Sequence, residues 1–278
     1  MLYLILAVLS SALISVFMRL SERHIRHNIG MLSVNYTVCL VMAALYTGMP
    51  DLFPRADGFG VALGLGAMSG ILYLTAFVLM QWNVSKNGVV LPATFMKLGV
   101  VVPTLLSIIL FRETPSVTQV AGLLGTAAAI VLIHFERSGE KAESKLGLLV
   151  LLLLSGVTDF TAKFYEQLGT PDLESHYLFY TFLVALVLCL ALMLKRKQRI
   201  GRQELLFGLL VGIPNYFSAR FLLLSLRSVP AVVTYPTYSV GTIVAVSCAG
   251  LLLFREKLSR RRWTAIVLIL IALTLLNL

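Results

Sequence analysis

The chain has 278 residues, of which 58% are hydrophobic and only 13% charged, with a formal net charge of +10. A soluble domain keeps roughly a quarter of its residues charged, and a larger core could not absorb this excess of apolar side chains, so a soluble globular fold is excluded. Three cysteines, Cys39, Cys189 and Cys248, fall singly inside apolar runs, a pattern of packing residues rather than of a disulfide or metal framework.

In chain order, apolar runs predict membrane-spanning helices over 1–18, 30–47, 59–80, 88–110, 116–135, 146–166, 176–194, 204–226, 231–254 and 260–278. Each is long enough for a helix to cross about 30 Å of hydrocarbon. The runs lack the alternation of barrel strands, and helices satisfy their own backbone hydrogen bonds in lipid. The first run has no basic residue ahead of its apolar stretch and is followed at once by Arg19, which reads as a retained span rather than a signal peptide. The expected fold is therefore an all-α polytopic membrane protein of ten transmembrane helices, with connections too short for a soluble catalytic domain.

The positive charge reads as topology. Arg19, Arg23, Arg26, Lys86, Arg137, Lys141 and Lys145 lie in odd-numbered connections, as do the basic clusters at 195–202 and 255–262. The even-numbered ones hold only Arg55, Arg112, Lys163 and Arg227. The positive-inside rule then places the odd connections in the cytoplasm and both termini outside the cell membrane. Lipid headgroups, not nucleic acid, are the expected anionic partner.

The chain also repeats itself. Phe111-Arg112-Glu113 returns as Phe254-Arg255-Glu256, Pro92 falls opposite Pro236, Lys97 opposite Gly241, Arg19 opposite Lys163 and Glu22 opposite Glu166. The near-constant offset divides the chain into five-span halves, 1–138 and 145–278. An odd number of spans per half inverts the second copy, and inverted repeats favour alternating access.

Ten spans in a five-plus-five duplication, each half closing on a small-residue span, a short FRE loop and a final apolar helix, resemble the drug/metabolite transporter superfamily in its EamA-like branch. The resemblance implies a central cavity formed by the third, fourth, eighth and ninth spans and flanked by the first and sixth. It implies transport of amino acids, other metabolites, sugars or drugs, by exchange or proton coupling. Small multidrug relatives use a carboxylate in their first span. Here the first span has none, and Asp159 occupies the sixth.

Charges inside spans are functional candidates, because each is costly unless paired or wet. No acid in the fourth or eighth span is placed to neutralise Lys97 or Arg220 within its own helix, and two cations facing one cavity would hold a carboxylate or phosphate. Asn215, Tyr216, Tyr235, Tyr238 and Tyr73 complete the expected substrate-binding set. Asp159 and Lys163, spaced for an ion pair along one helix, are the candidates for proton or ion coupling. Pro92 and Pro236 are the candidate hinges. Glycines 60, 64, 66 and 70, with Gly122 and Gly125, read as close helix contacts, not phosphate loops. The histidines form no metal set.

The expected function is a secondary active transporter exporting or exchanging a small metabolite such as an amino acid, as monomer or homodimer and without cofactor. The alternative is a proton-coupled exporter of cationic drug-like compounds through Asp159. An intramembrane enzyme is disfavoured because no catalytic groups cluster near the midplane.

Overall fold

A computed structural model describes residues 1–21, 24–48, 52–87, 90–134, 144–254 and 260–277. All regular structure among them is helical: α1 (Leu2–Ser21), α2 (Asn28–Thr47), α3 (Phe59–Asn87), α4 (Val90–Leu98), α5 (Val101–Phe111), α6 (Val117–His134), α7 (Lys145–Leu168), α8 (Glu174–Lys195), α9 (Arg202–Leu226), α10 (Ala231–Phe254) and α11 (Arg260–Leu276). Seven of these, α1, α2, α3, α7, α8, α9 and α10, are long and apolar enough to cross a membrane, and Phe95–Phe111, Val117–Leu132 and Trp263–Leu276 are shorter apolar segments. The protein is an all-α polytopic membrane protein.

One expected span differs. The run over 88–110 is not one helix but two, α4 and α5, separated by a turn at Gly99 and Val100. Pro103 explains the break. It has no N–H for the carbonyl of Gly99, and its ring crowds that carbonyl. Tighter bonds take over, Val100 N–H to Lys97 O at 3.4 Å and Val102 N–H to Gly99 O at 2.9 Å. Pro92, the expected hinge, instead sits in the first turn of α4, where a missing N–H leaves no helix bond unmade. Pro236 lies inside α10, which continues through it.

The chain folds as two compact units that cut across the sequence halves. Leu2–Leu74 and Phe164–Leu224 form one, while Thr75–Lys163 and Ser225–Leu278, with Met1, form the other.

In the first of these, α2 packs along α8. Small residues bring other helices close: a side chain at Gly66 or Gly70 would strike backbone of α8, and one at Gly212 would strike Val38 and the Asn35 carbonyl of α2. Gly60 and Gly64, by contrast, face open space. The start of α2 is secured by the α8–α9 connection. Glu204 Oε1 accepts the N–H groups of Arg26 and His27 at 2.9 and 3.2 Å, Glu204 Oε2 accepts that of Gly201 at 3.1 Å, and Gln198 Oε1 accepts that of Ile29 at 3.1 Å. Glu204 therefore serves two helix N-termini, its own through the capping-box bond to Gly201 and that of α2.

In the other unit α6 packs along α11 and α5 along α10. Gly122 and Gly125 meet Ala272 of α11. The break between α4 and α5 rests on α7, where Ser155 Oγ donates to the Met96 carbonyl at 3.3 Å. A side chain at Gly156 would collide with the Gly99 carbonyl and Val102.

Candidate functional site

The expected site residues are divided between the two units. Lys97, Asp159, Lys163, Tyr235 and Tyr238 belong to one, and Tyr73, Asn215, Tyr216 and Arg220 to the other.

The first group is organised by α7. Asp159 and Lys163 lie one turn apart on it, and each meets a different part of the fold. Lys97, half-buried at the end of α4, is near enough to Asp159 for each charge to act on the other. Tyr235 of α10, almost fully buried, donates its hydroxyl to the backbone carbonyl of Asp159 at 2.8 Å. Tyr238 is half-buried one turn further along α10.

Lys163 has a partner that helical spacing does not reveal. Its ammonium is 3.2 Å from Oε1 of Glu113, with side chains 4% and 16% exposed respectively. It also lies 5.9 Å from the centre of the Phe111 ring. The FRE segment makes this contact by ending α5 abruptly. Arg112 adopts a left-handed conformation (φ 54°) and donates its N–H to the Ser107 carbonyl, so the chain turns and delivers Glu113 back toward α7. The same carboxylate accepts the N–H groups of Ala231 and Val232 at 3.1 and 3.0 Å. Those are the first two residues of α10, whose exposed donors and positive dipole end favour an anion. Glu113 thus joins α5, α7 and α10 at one point. Sequence reasoning identified it as part of a repeated tripeptide but gave it no role. Its counterpart Glu256, with Arg255 and also Glu22, lies outside the described residues.

The second group centres on Arg220. Its Nη1 donates to Tyr216 Oη and to Ser175 Oγ, both at 3.2 Å, and the guanidinium stacks 4.1 Å above the Tyr46 ring. Tyr46 in turn stacks on Tyr216 at 5.7 Å and meets Phe217 edge-on at 6.4 Å. Tyr46 is in the last turn of α2, so the cation also sits at the negative end of a helix dipole. Both hydrogen bonds use one guanidinium nitrogen. Among the described residues the other two have no acceptor, and no carboxylate pairs with the group. Tyr46 and Ser175 were missed by sequence reasoning, because an aromatic at a span end carries no signal beyond an interfacial belt.

Asn215, expected in the substrate set, points toward α2, where its Nδ2 donates to Asn35 Oδ1 at 3.1 Å and to Cys39 Sγ at 3.6 Å. Tyr73 is half-buried on α3. No cluster of three or more metal-binding side chains occurs among the described residues.

Comparison with known proteins agrees with this architecture. An uncharacterized protein of Haemophilus influenzae is 23% identical over 283 residues, covering 97% of this chain and 95% of its own. A solved crystal structure shares the fold with a TM-score of 0.76 at 14% identity, over 99% of this chain and 94% of that one. The model of the EamA-like transporter family matches residues 144–278. Through residues 144–278 the chain is similar to the EamA-like transporter family, and that match supports a membrane transporter of small solutes rather than an enzyme.

Proposed function

We propose that this protein is a secondary active transporter that exports or exchanges a small carboxylate metabolite, such as an amino acid, across the cell membrane by alternating access. The observation that carries the reading is Arg220. A half-buried guanidinium held by neutral neighbours keeps an unspent face of donors, and a planar fork of that kind matches a carboxylate. Lys97 lies in the other unit, within electrostatic reach of Asp159, so the reading rests on Arg220.

Alternating access is supported by the repeat. Leu2 and Lys145, Phe59 and Arg202, and Val117 and Arg260 begin α1 and α7, α3 and α9, and α6 and α11, and each pair is 143 residues apart. Helices holding the same place in the halves 1–138 and 145–278 pack on one another, α2 on α8 and α6 on α11. An inverted pair of this kind offers two near-equivalent arrangements, one open to each side. The charge distribution supports cytoplasmic odd-numbered connections and outward termini. With no nucleotide-binding motif in the sequence, an ion or solute gradient supplies the energy.

Proton-coupled export of cationic compounds is the second reading, favoured by a carboxylate, Asp159, inside a membrane helix within electrostatic reach of Lys97. Uptake of a labelled amino-acid mixture into proteoliposomes separates the two. Loss of transport in Arg220→Ala supports the carboxylate site. Transport intact in Arg220→Ala and Lys97→Ala but lost in Asp159→Asn overturns it in favour of the proton site.

A further inference from the structure

Within the unit formed by Leu2–Leu74 and Phe164–Leu224, one set of helix ends carries an uneven share of the charge. Lys195, Arg196, Lys197, Arg199 and Arg202 crowd into residues 195–202, where α8 passes into α9, with no acid among them, and all five are exposed. The start of α2 is held against this connection. A side chain at Gly30 would strike the Arg199 carbonyl, Gln198 Oε1 accepts the Ile29 N–H at 3.1 Å, and Glu204 accepts the N–H groups of Arg26 and His27. Arg26, also exposed, is thereby brought to the same corner as a sixth cation. The carboxylate of this corner does not answer them. Glu204 is buried, and its oxygens already accept three backbone N–H groups.

Like charges this crowded repel one another, and the chain bears a further cost to keep one of them. At the end of α8 the Gln198 N–H donates to the Met193 carbonyl and the Lys197 N–H to the Leu194 carbonyl, both at 3.0 Å. That pattern needs a left-handed residue, which is Lys197 with φ 52°, and glycine is the usual occupant. A side chain there is strained, and strain retained at a charged, exposed position points to a use for the residue. The opposite helix ends of the same unit differ in kind, since Arg55 there is accompanied by Asp57, Glu166 and Asp172.

The neighbours say which anion fits. Leu194, Ile200, Leu205 and Leu206, beside the basic residues in the chain, are exposed as well. A soluble anion gains nothing from them. A phospholipid gains twice, by its phosphate among the cations and its acyl chains along the apolar side chains.

We propose that the corner where the α8–α9 connection meets the start of α2 is a docking surface for anionic phospholipid, its headgroup phosphate gathered by Arg26, Lys197, Arg199 and Arg202. Basic clusters at the ends of membrane helices have this affinity. Bound lipid relieves the mutual repulsion and ties α2 to α8 and α9 from outside, so it stabilises the folded protein. The surface is distinct from the arginine cluster of the candidate site, because Arg220 stands about 27 Å along α9 from Arg202 at 1.5 Å per residue.

The test is thermal melting of the purified full-length protein in neutral detergent, titrated with phosphatidylglycerol or with phosphatidylcholine of the same acyl chains. Phosphatidylglycerol is expected to raise the melting temperature saturably, by about 5 °C or more, and phosphatidylcholine to do far less. Lys197→Gly combined with Arg199→Gln removes two charges and is expected to move the phosphatidylglycerol midpoint to about tenfold higher lipid. Lys197→Gly alone also relieves the left-handed strain. It is expected to melt above wild type without lipid yet respond more weakly to it, a combination that misfolding does not produce. Arg55→Gln, at the opposite helix ends, is expected to respond as wild type does. A double variant that responds like wild type places the lipid elsewhere and overturns the inference. Equal rises with both lipids make the effect one of general detergent replacement and overturn it too. A full response to glycerol 3-phosphate assigns the corner to soluble anions, and no response to any of the three leaves it without a lipid; either result overturns the proposal.

Discussion

Lys163 and Glu113 form an ion pair of 3.2 Å that is almost wholly removed from solvent, and the same carboxylate closes the first two N–H groups of α10. A buried pair is valuable less for its own attraction than for the penalty of breaking it, because the survivor is left as an uncompensated charge.

The two partners are therefore unequal. Glu113→Ala removes the carboxylate 3.2 Å from the Lys163 ammonium and uncaps α10 together, and is expected to cost about 3–5 kcal/mol. Lys163→Met leaves Glu113 with its two backbone donors and is expected to cost less. Thermal melting of the purified variants in detergent checks the order, and a Lys163→Met protein melting below Glu113→Ala contradicts it.

Arg220→Lys keeps the charge and loses the fork. Lys presents a point charge that cannot bond Tyr216, Ser175 and a ligand carboxylate in one plane, so transport is expected to fall at least about tenfold with folding unchanged. Tyr46→Leu removes the ring beneath the cation, a contribution of about 0.5–2 kcal/mol, and should show as a raised KM at constant expression. Equal kinetics in wild type and Arg220→Lys would remove Arg220 from the site.

Gly212 and Gly64 make a paired control on helix packing. Gly212→Ala drives a methyl into Val38 and the Asn35 carbonyl and is expected to lower the melting temperature by several degrees, since overpacking costs about 1–3 kcal/mol. Gly64→Ala meets open space in α3 and is expected to be neutral or stabilising by about 0.5–1 kcal/mol.

Pro103→Ala restores the donor that Gly99 lacks and is expected to join α4 and α5 into a more continuous helix. If the break serves the transport cycle, turnover falls while thermal stability holds or rises. Turnover unchanged in a protein of raised stability would make the break a packing accident.

The membrane helices were legible because composition decides them: an apolar run of some twenty residues has few alternatives to spanning lipid. The break at Gly99 was legible in principle, from Pro103 four residues on, but Pro92 drew attention because it matches Pro236. The expected Asp159 and Lys163 pairing relied on spacing along one helix, which could not show that Lys163 also meets Glu113, a carboxylate fifty residues away. Tyr46 reaches Arg220 only through the packing of α2 beside α9. Local periodicity carries no information on such contacts, and they make up most of both candidate clusters.

The interleaving of the two units also dictates the order of biogenesis. When α1 to α6 have entered the bilayer, the surfaces of α2 and α6 that will meet α8 and α11 still face lipid, and the glycines at 66 and 70 have nothing to approach. Neither unit can close until the last third of the polypeptide has left the ribosome, so the nascent protein must wait in the membrane as loosely associated spans. Long sequence separation between partners is the circumstance that slows assembly and leaves incomplete chains open to misassociation. Quality-control proteases would therefore meet this transporter chiefly before its C-terminal helices arrive, and a protein truncated after α6 should be cleared rather than accumulate as a stable half.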